Sequence, residues 1–293
     1  MIVRSQAVNL TPECVTCIFS QALRVCEKLQ VDKVTTKAVL DRVGCMVPTW
    51  RFDETPPQVA ARVYPAIAEL LETDDIYRDF KREATEHAKA FIPYVEAMIN
   101  QSDDQFHAAL KAAVAGNVID LAATKQFDLK EEVAKVFETP FAIDDSSALR
   151  QLLETAKKVL IIGDNAGEHL FDKVLMKQLV RLFPEIELGY VVRGEPIIND
   201  ITVLEAKEAG IDEVATIIDS GVNTPGLDLS RASDTMKRAY ERADVIIAKG
   251  MGNYESLNDR STRPTFFLLK VKCNVVANSL GRNIGDIVCK RSL

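Results

Sequence analysis

The second half of the chain alternates short apolar runs with helical patterns, and this alternation restricts the fold more than any other feature. Four consecutive apolar residues in the first run, 159–162, fit a strand that is covered on both faces. Repeated β–α units of this spacing predict a parallel, doubly wound sheet whose right-handed crossovers bring the strand ends to one edge. The predicted strands are 159–162, 186–192, 213–218, 245–248 and 275–276, and the predicted helices between them are 168–182, 202–209, 230–242 and 264–269.

The first part of the chain carries helical patterns without strand signals. Thr11 as N-cap and Pro12 at the first helical position predict a helix over 11–30. Further predicted helices are 57–72, 75–92, 94–99, 102–115, a short one within 126–141, and 145–156. We therefore predict an α/β protein with a three-layer α/β/α Rossmann-like core, a mainly parallel sheet and a helical N-terminal region. The predicted division is a helical region over 1–125 and a metal- and phosphate-binding α/β/α domain over 126–293.

Composition and charge exclude several partner classes. The 293 residues are long enough for a large core or two domains, and the net charge of −7 comes without a basic run suited to nucleic acid. No apolar stretch approaches the roughly 20 residues of a membrane span, and the N-terminus lacks the apolar region of a signal peptide. We expect a cytoplasmic protein, a monomer or homodimer, whose six cysteines stay reduced.

The first predicted strand ends in a polar turn that suits a cation. Gly163 breaks the strand, and Asp164 and Asn165 follow at its carboxyl end, where open α/β sheets bind ligands. Carboxylate and amide oxygens suit a hard divalent cation. Gly167 lets the backbone bend, and Glu168 begins the next helix, where its charge complements the helix dipole. The alternative is a local cap, since Asp and Asn are common at strand-to-helix turns.

Polar and glycine-rich clusters recur after the following strands. Asp200 offers a second carboxylate to a cation near Asp164. Ser220 and Gly221, with exposed backbone N–H groups, suit a phosphate oxygen. Lys249 directly follows an apolar strand, and we expect it at the ligand edge, where it neutralises phosphate charge, rather than on the surface.

Two motifs in the N-terminal region remain ambiguous. Cys14 and Cys17 lie three apart at a helix start, which fits a metal half-site, a redox pair or simply buried cysteines that pack the helix. A zinc site needs about two further ligands, for which Cys273 or Cys289 could come close through folding. Asn117 and Asp120 put two polar groups on one face of an apolar helical segment, and we favour a site over backbone capping for them.

The strand-end clusters together resemble the damage-control phosphatase family, domain of unknown function 89. The resemblance rests on Gly163-Asp-Asn-Ala-Gly-Glu168, Val192-Arg-Gly194 through Asn199-Asp200, and Ala248-Lys-Gly-Met-Gly-Asn-Tyr-Glu255. The N-terminal Cys-x-x-Cys and Ala115-Gly-Asn117 through Asp120 resemble the small microbial-type branch. One departure is Met251, where many relatives carry a polar residue.

The resemblance implies hydrolysis of small phosphorylated metabolites, such as sugar phosphates or damaged phospho-metabolites, with a divalent cation (Mg²⁺, Mn²⁺, Co²⁺ or Ni²⁺). It implies that Asp164, Asn165 and Asp200 hold the metal and that Asn117 and Lys249 lie near the substrate phosphate. The candidate catalytic residues are Asp164, Asp200 and Lys249. The candidate substrate-binding residues are Asn117, Asp120, Glu168, Arg193, Ser220, Gly221 and Asn253.

Several chemistries stay open at the level of sequence. Water polarised by the cation could attack phosphorus, or Asp164 could attack directly and form an aspartyl-phosphate. A Rossmann-type S-adenosylmethionine-dependent methyltransferase is a rival, although no G-x-G-x-x-G follows the first strand. A non-catalytic phospho-metabolite sensor that uses the same pocket is a second rival.

Overall fold

The computed structural model describes residues 8–119 and 126–292, and in this part of the chain a seven-stranded sheet lies between helices. The strands are β1 (Ile143–Asp144), β2 (Lys158–Ile162), β3 (Glu187–Val192), β4 (Thr216–Asp219), β5 (Val245–Lys249), β6 (Thr265–Lys270) and β7 (Ile287–Arg291). Their order is β1-β7-β6-β5-β2-β3-β4, and every pair is parallel except β6 with β7. The predicted α/β fold with a mainly parallel sheet is confirmed.

The described helices fall into an N-terminal group and two groups on the faces of the sheet. The N-terminal helices are α1 (Pro12–Lys28), α2 (Lys33–Met46) and α3 (Pro56–Leu70). One face of the sheet packs on α4 (Arg78–Gln101), α5 (Gln105–Ile119), α6 (Gln126–Glu138), α7 (Ser146–Leu153), α8 (Glu168–Leu182) and α9 (Val203–Glu208). The other face packs on α10 (Asp234–Arg242), α11 (Gly250–Leu257) and α12 (Asn274–Leu280).

Strand β2 shows why its sequence is apolar without alternation. Val159 and Ile161 lie in the core on one face of the sheet, and Leu160 and Ile162 lie in the core on the other face. A strand in the middle of a covered parallel sheet needs apolar side chains in both directions. β2 is also where the strand order reverses, because β3 pairs with one edge of it and β5 with the other. Ligands of open α/β sheets bind at such a switch point.

The N-terminal helices form a core of their own. Residues of all three helices, among them Val25, Val43 and Val63, are buried together, and Ile197 from the segment after β3 joins them. A capping box between Thr55 and Gln58 begins α3, which fixes where this helix starts beside the sheet. The helical region is thereby attached to the edge of the sheet where the strands end.

Several sequence predictions about elements are wrong. A break at Pro93 was expected, but α4 runs through it to Gln101, because buried Phe91 and Val95 hold the helix on both sides of the proline. Residues 264–269 were predicted helical, but they lie within or next to β6, since a short apolar run does not distinguish a buried strand from a buried helix. Val275 and Val276 belong to α12 rather than to a strand, and β1 and β7 were missed.

Two further expectations bear on the fold. No described helix is long and apolar enough to cross a membrane. The boundary predicted between residues 125 and 126 falls at an edge of the described residues, so that division stays a prediction.

Candidate active site

The turn after β2 brings together the acidic residues that the sequence places 36 positions apart. The backbone carbonyl of Asp164 accepts a hydrogen bond from the Ile201 N–H at 2.9 Å, and the Ala166 N–H donates to the Asn199 carbonyl at 2.8 Å. These bonds form an isolated antiparallel bridge between Asn165 and Asp200. The convergence of Asp164, Asn165 and Asp200 follows directly from this backbone pairing.

These three residues line a cavity of about 470 Å³ between the sheet edge and the N-terminal helices. Helices α1 and α3 contribute one wall, and the segments after β5 and β6 contribute another. The apolar part of the lining includes Ile18, Pro57, Ala60, Ile198, Val275 and Ile284. The charged part consists of Glu13, Asp164, Asp200, Glu255 and Lys272. The cavity thus has an acidic, oxygen-rich floor under largely apolar walls.

Asp200 is held by a buried arginine. Arg193, 1% exposed, donates from Nε to Oδ2 of Asp200 at 2.8 Å and from Nη2 to Oδ1 of Asn253 at 3.4 Å. Burial, together with the charge of Asp164, raises the pKa of Asp200 to about 8 against the opposing effect of Arg193. Arg193 does not line the cavity, so in this structure it orients Asp200 from behind.

The side-chain amide of Asn165 connects two acids. Its Nδ2 donates to Oδ2 of Asp164 at 3.1 Å and to Oε1 of Glu168 at 2.8 Å. The amide nitrogen is engaged by these acceptors, so the amide oxygen is the atom of Asn165 that can coordinate a cation. Burial raises the pKa of Glu168 to about 8, with Asp164 as the next cause.

Lys249 lies within the protein rather than in the cavity wall. The side chain is 0% exposed, and Nζ donates to the Ala113 carbonyl at 2.8 Å and to Oδ1 of Asp172 at 2.5 Å. Asp172 accepts a second hydrogen bond from the Tyr190 hydroxyl at 2.8 Å. Burial alone would lower the pKa of Lys249, but Asp172 and Glu168 outweigh it and raise the pKa. The role predicted for Lys249 at the substrate phosphate stays a prediction, and its contacts here are with the protein.

Lys272 is the cavity-lining cation that the sequence reasoning missed. It follows β6, and its side chain lines the same cavity as Asp164 and Asp200. Within the described part of the chain no side chain forms a hydrogen bond or ion pair with its ammonium group, although its charge lowers the pKa of Glu168 through space. The missed signal was a lysine two residues after the end of a strand, an argument similar to the one used for Lys249. It was lost because 264–269 was interpreted as a helix.

Ser220 and Gly221 do not present the exposed N–H groups that were expected of them. The Ser220 N–H donates to the Val192 carbonyl at 3.0 Å, and the Gly221 N–H donates to the Asp219 carboxylate at 2.7 Å. Neither residue lines the cavity described above. The physical reason is that this turn satisfies its own backbone donors, so its predicted contact with phosphate has no donor available in this structure.

The other predicted substrate-binding residues divide in two. Asn253 is fully buried, and its Nδ2 donates to the carbonyls of Gly163 at 3.1 Å and Lys249 at 2.7 Å, which ties α11 to the ends of β2 and β5. The Asn117 side chain and all of Asp120 lie outside the described residues. Gly116, just before them, packs against Glu168 and Phe171 so closely that an added Cβ would lie 3.2 Å from both.

Two glycines permit the close approach of α11 to the floor. Gly250 has φ of +75°, and a Cβ at this position would lie 1.9 Å from Oδ2 of Asp164. At Gly252 a Cβ would lie 1.8 Å from the Pro225 carbonyl oxygen. The glycines of the Lys-Gly-Met-Gly motif are therefore required by space, because any side chain at Gly250 would displace the Asp164 carboxylate.

The charge balance of the floor fits a divalent cation. Four buried acids, Asp164, Glu168, Asp172 and Asp200, surround two buried cationic groups, Arg193 and Lys249. Ionising all four acids without a further positive partner is costly, and the raised pKa values of Asp200 and Glu168 reflect this cost. Among the described residues no three His, Cys, Asp or Glu side chains form a complete metal site, so the candidate donors are two carboxylates and an amide oxygen.

Comparisons with known proteins agree with this fold and identify related proteins. The model of the Damage-control phosphatase ARMT1-like domain matches residues 10–288. A damage-control phosphatase of Pyrococcus horikoshii is 32% identical over 96% of this chain and 97% of its own. A damage-control phosphatase of Archaeoglobus fulgidus is 30% identical over 97% of this chain and 99% of its own.

A solved structure extends the similarity to three dimensions. The crystal structure of a DUF89 family protein from Pyrococcus horikoshii superposes with a TM-score of 0.88 at 32% identity, and the match covers 98% of this chain and 100% of that one. The family model and the relatives each cover nearly the whole chain. The chain therefore belongs to the damage-control phosphatase family.

Proposed function

We propose that this protein is a metal-dependent phosphatase that hydrolyses small phosphorylated metabolites, including damaged ones. The observation that carries the proposal is the convergence of Asp164, Asn165 and Asp200 on the floor of one cavity, with Lys272 in its wall. Oxygen donors and a separate cation in one cavity suit a phosphate dianion bound through a divalent metal ion. Membership of a family whose relatives are named damage-control phosphatases supports the same reaction.

Asp164, the amide oxygen of Asn165 and Asp200 would hold the cation. When bound, a divalent cation polarises a phosphate oxygen and lowers the pKa of a coordinated water. Mg²⁺ and Mn²⁺ fit the hard oxygen set, and Co²⁺ and Ni²⁺ stay among the ions to test. Arg193 keeps Asp200 oriented by its 2.8 Å hydrogen bond, so the geometry of the floor is set before any ligand arrives.

The other residues of the site would bind and orient the substrate. Lys272 attracts the phosphate dianion and stabilises the charge that develops on its oxygens. Lys249 acts from behind the floor, where its ion pair with Asp172 and its proximity to Glu168, 3.9 Å from Nζ to Oε2, keep the start of α8 in place. The apolar walls take the remainder of the metabolite and limit the access of bulk water, and the water needed for hydrolysis is the one that the cation would coordinate.

The test of this function is phosphate release from a panel of phosphomonoesters. The panel contains sugar phosphates, nucleotides and phosphopantetheine compounds, each with Mg²⁺, Mn²⁺, Co²⁺ or Ni²⁺ and with chelator. The proteins are wild type and Asp200→Asn, which keeps a hydrogen-bond acceptor for Arg193. We expect release that needs metal and is lost in the variant. Binding of Mn²⁺, followed by electron paramagnetic resonance, is expected to weaken in the same variant.

Two outcomes would contradict the proposal, and a third would change its mechanism. Folded wild-type protein that releases no phosphate with any metal, but binds phosphorylated metabolites, would indicate a sensor. Tight binding of S-adenosylmethionine without metal would indicate the methyltransferase class. Trapping of a phosphorylated aspartate would keep the phosphatase function but replace direct attack by water with attack by Asp164.

A further inference from the structure

The proposed reaction uses no cysteine, yet two of them lie in the wall of the active cavity. Cys14 and Cys17 belong to the first turns of α1, and both line the cavity whose floor carries Asp164 and Asp200. Cys45 is also exposed but lies on α2, outside this cavity, and Cys289 is buried in the core beneath the sheet. The Cys-x-x-Cys motif therefore has a defined location beside the site.

The spacing of the pair suits a disulfide. Residues three apart on a helix have Cβ atoms about 5–6 Å apart, and a disulfide needs about 3.5–4.5 Å, so closing the bond requires a small movement of one turn. The turn concerned is the first of α1, where Thr11 as N-cap makes no side-chain capping bond. The Thr11 hydroxyl instead lies 3.5 Å from Sγ of Cys14. The Cys14 and Val15 N–H groups donate to the Thr11 carbonyl at 3.0 and 3.3 Å, and closing the disulfide would shift these bonds.

The two thiols differ in the way that thiol–disulfide exchange requires. Cys17 is exposed, and its Sγ accepts a hydrogen bond from Nε2 of Gln21 at 3.3 Å, so an incoming disulfide can reach it. Cys14 is 9% exposed, and burial raises the pKa of its thiol. An accessible thiol next to a buried one is the arrangement in which the first thiol attacks and the second resolves the intermediate.

A metal-binding role for the pair is less well supported. Cys273 lines the same cavity and could have supplied a third thiolate. Within residues 8–119 and 126–292, however, no three Cys, His, Asp or Glu side chains are arranged to hold a metal ion. A structural zinc site needs about four ligands, so a zinc site is less well supported here than redox chemistry.

We propose that Cys14 and Cys17 form a redox-active dithiol site that reacts with low-molecular-weight disulfides. The Cys17 thiolate attacks one sulfur of the disulfide, its S–S bond breaks, and one thiolate leaves as a mixed disulfide forms. Cys14 then loses its proton and attacks Sγ of Cys17, and the second thiolate leaves. In the net reaction the protein loses two electrons and two protons, and the small disulfide is reduced to two thiols.

This site has a consequence for the active cavity, which rests on the function proposed above. Because both cysteines lie in the cavity wall, closing the disulfide draws the first turn of α1 together and changes the shape of the wall. The metal ligands lie on the floor, on a different part of the chain. Oxidation is therefore expected to raise KM for the phosphorylated substrate more than it lowers kcat.

The experiment equilibrates the full-length protein with oxidised and reduced glutathione at several ratios, followed by alkylation and mass spectrometry. Wild type is expected to lose two alkylatable thiols in one two-electron step, and the unalkylated mass to fall by about 2 Da. Peptide mapping should join Cys14 to Cys17. Cys17→Ser and Cys14→Ser are each expected to form no internal disulfide. Cys45→Ser, the matched control, should behave as wild type.

This thiol measurement is independent of any phosphatase activity. If wild type keeps all its thiols, if it stops at a stable mixed disulfide on Cys17, or if the bond maps to Cys273, the proposed site is wrong. Cys17→Ala, at an exposed position, repeats the test if Cys14→Ser does not fold. KM of oxidised and reduced wild type is then compared. If the disulfide forms but KM does not change, the proposed redox site is supported and its proposed effect on the cavity is refuted.

Discussion

The turns after β2 and β4 have similar residues but opposite roles. Each combines an aspartate, a small polar residue and a glycine at the carboxyl edge of the sheet, as Gly163-Asp164-Asn165 and Asp219-Ser220-Gly221. After β4 the aspartate accepts from the Gly221 N–H, and the turn satisfies itself. After β2 the backbone pairs with the segment after β3, so Asp164 and Asn165 face the cavity. The residue types at a strand end identify a candidate binding turn. Whether the backbone of that turn bonds to itself or to another segment decides whether its side chains face the cavity.

The largest effect on phosphate release is expected from Asp164→Asn, and the same exchange at Asp219 in the turn after β4 is its control. Asp164→Asn removes charge from the proposed metal site, and we expect phosphate release to fall about a thousandfold. Asp219→Asn keeps an acceptor for Gly221 and should leave release close to wild type. Metal-dependent phosphate release from the best substrate measures both. Equal losses in the two variants would refute the contrast between the turns.

The second prediction tests the space in front of Asp164. Gly250→Ala places a methyl group 1.9 Å from the Asp164 carboxylate, so we expect release to fall about a hundredfold because the ligand is displaced. Gly281→Ala is the matched control, since Gly281 has φ of +62° but nothing within 4 Å of an added Cβ. It should cost about 1 kcal/mol of stability and little activity. Urea unfolding measures the backbone strain in each variant, and phosphate release measures the effect of the added methyl group on the Asp164 carboxylate. A fully active Gly250→Ala would contradict the proposed site.

The third prediction separates the two lysines. Lys249→Met leaves Asp172 buried without its cationic partner, and we expect a loss of about 3–5 kcal/mol in the free energy of unfolding. Lys272→Ala removes the cavity-lining ammonium, so stability should hardly change while KM rises about tenfold. Denaturant unfolding and steady-state kinetics on both variants measure the effects. A stable Lys249→Met with a raised KM would restore the role first predicted for Lys249.

The smallest effect is expected in the turn after β4. Ser220→Ala removes only a weak 3.5 Å hydrogen bond from the Val222 N–H, so the loss of stability should be below about 1 kcal/mol. Catalysis should be within about twofold of wild type, as for most substitutions away from a site. A loss of activity far beyond that, at unchanged stability, would show that Ser220 contacts substrate after all.

The sequence predicted best where one physical requirement dominates. The apolar run at 159–162 fits one structure, a strand buried on both faces. The location of the acids at the edge of the sheet then follows from the direction of the strands. Prediction from the sequence failed where one residue pattern fits two different secondary structures. Residues 265–270 are apolar enough for a buried helix or strand, and the choice of helix removed Lys272 from the list of strand-end residues.

The side-chain partners of the site were beyond sequence reasoning for a different reason. The sequence near Lys249 does not indicate that its ammonium group will pair with the carboxylate of Asp172, on the first turns of α8. Arg193 was named as a substrate-binding candidate, and only its 2.8 Å bond to Asp200 and its burial show what it touches in the folded chain. Ion pairs between distant elements depend on how helices dock, which local patterns do not record.

The division of the cavity into floor and walls also bears on how the molecule folds. The floor belongs to one β–α–β unit over 158–202, whereas most of the wall residues come from 13–60 and 251–284. Contacts within a short stretch close at a lower entropic cost than contacts between distant stretches. We therefore expect the two acids and the amide to be gathered early, and the pocket that selects a substrate to form only when the two ends of the chain have met.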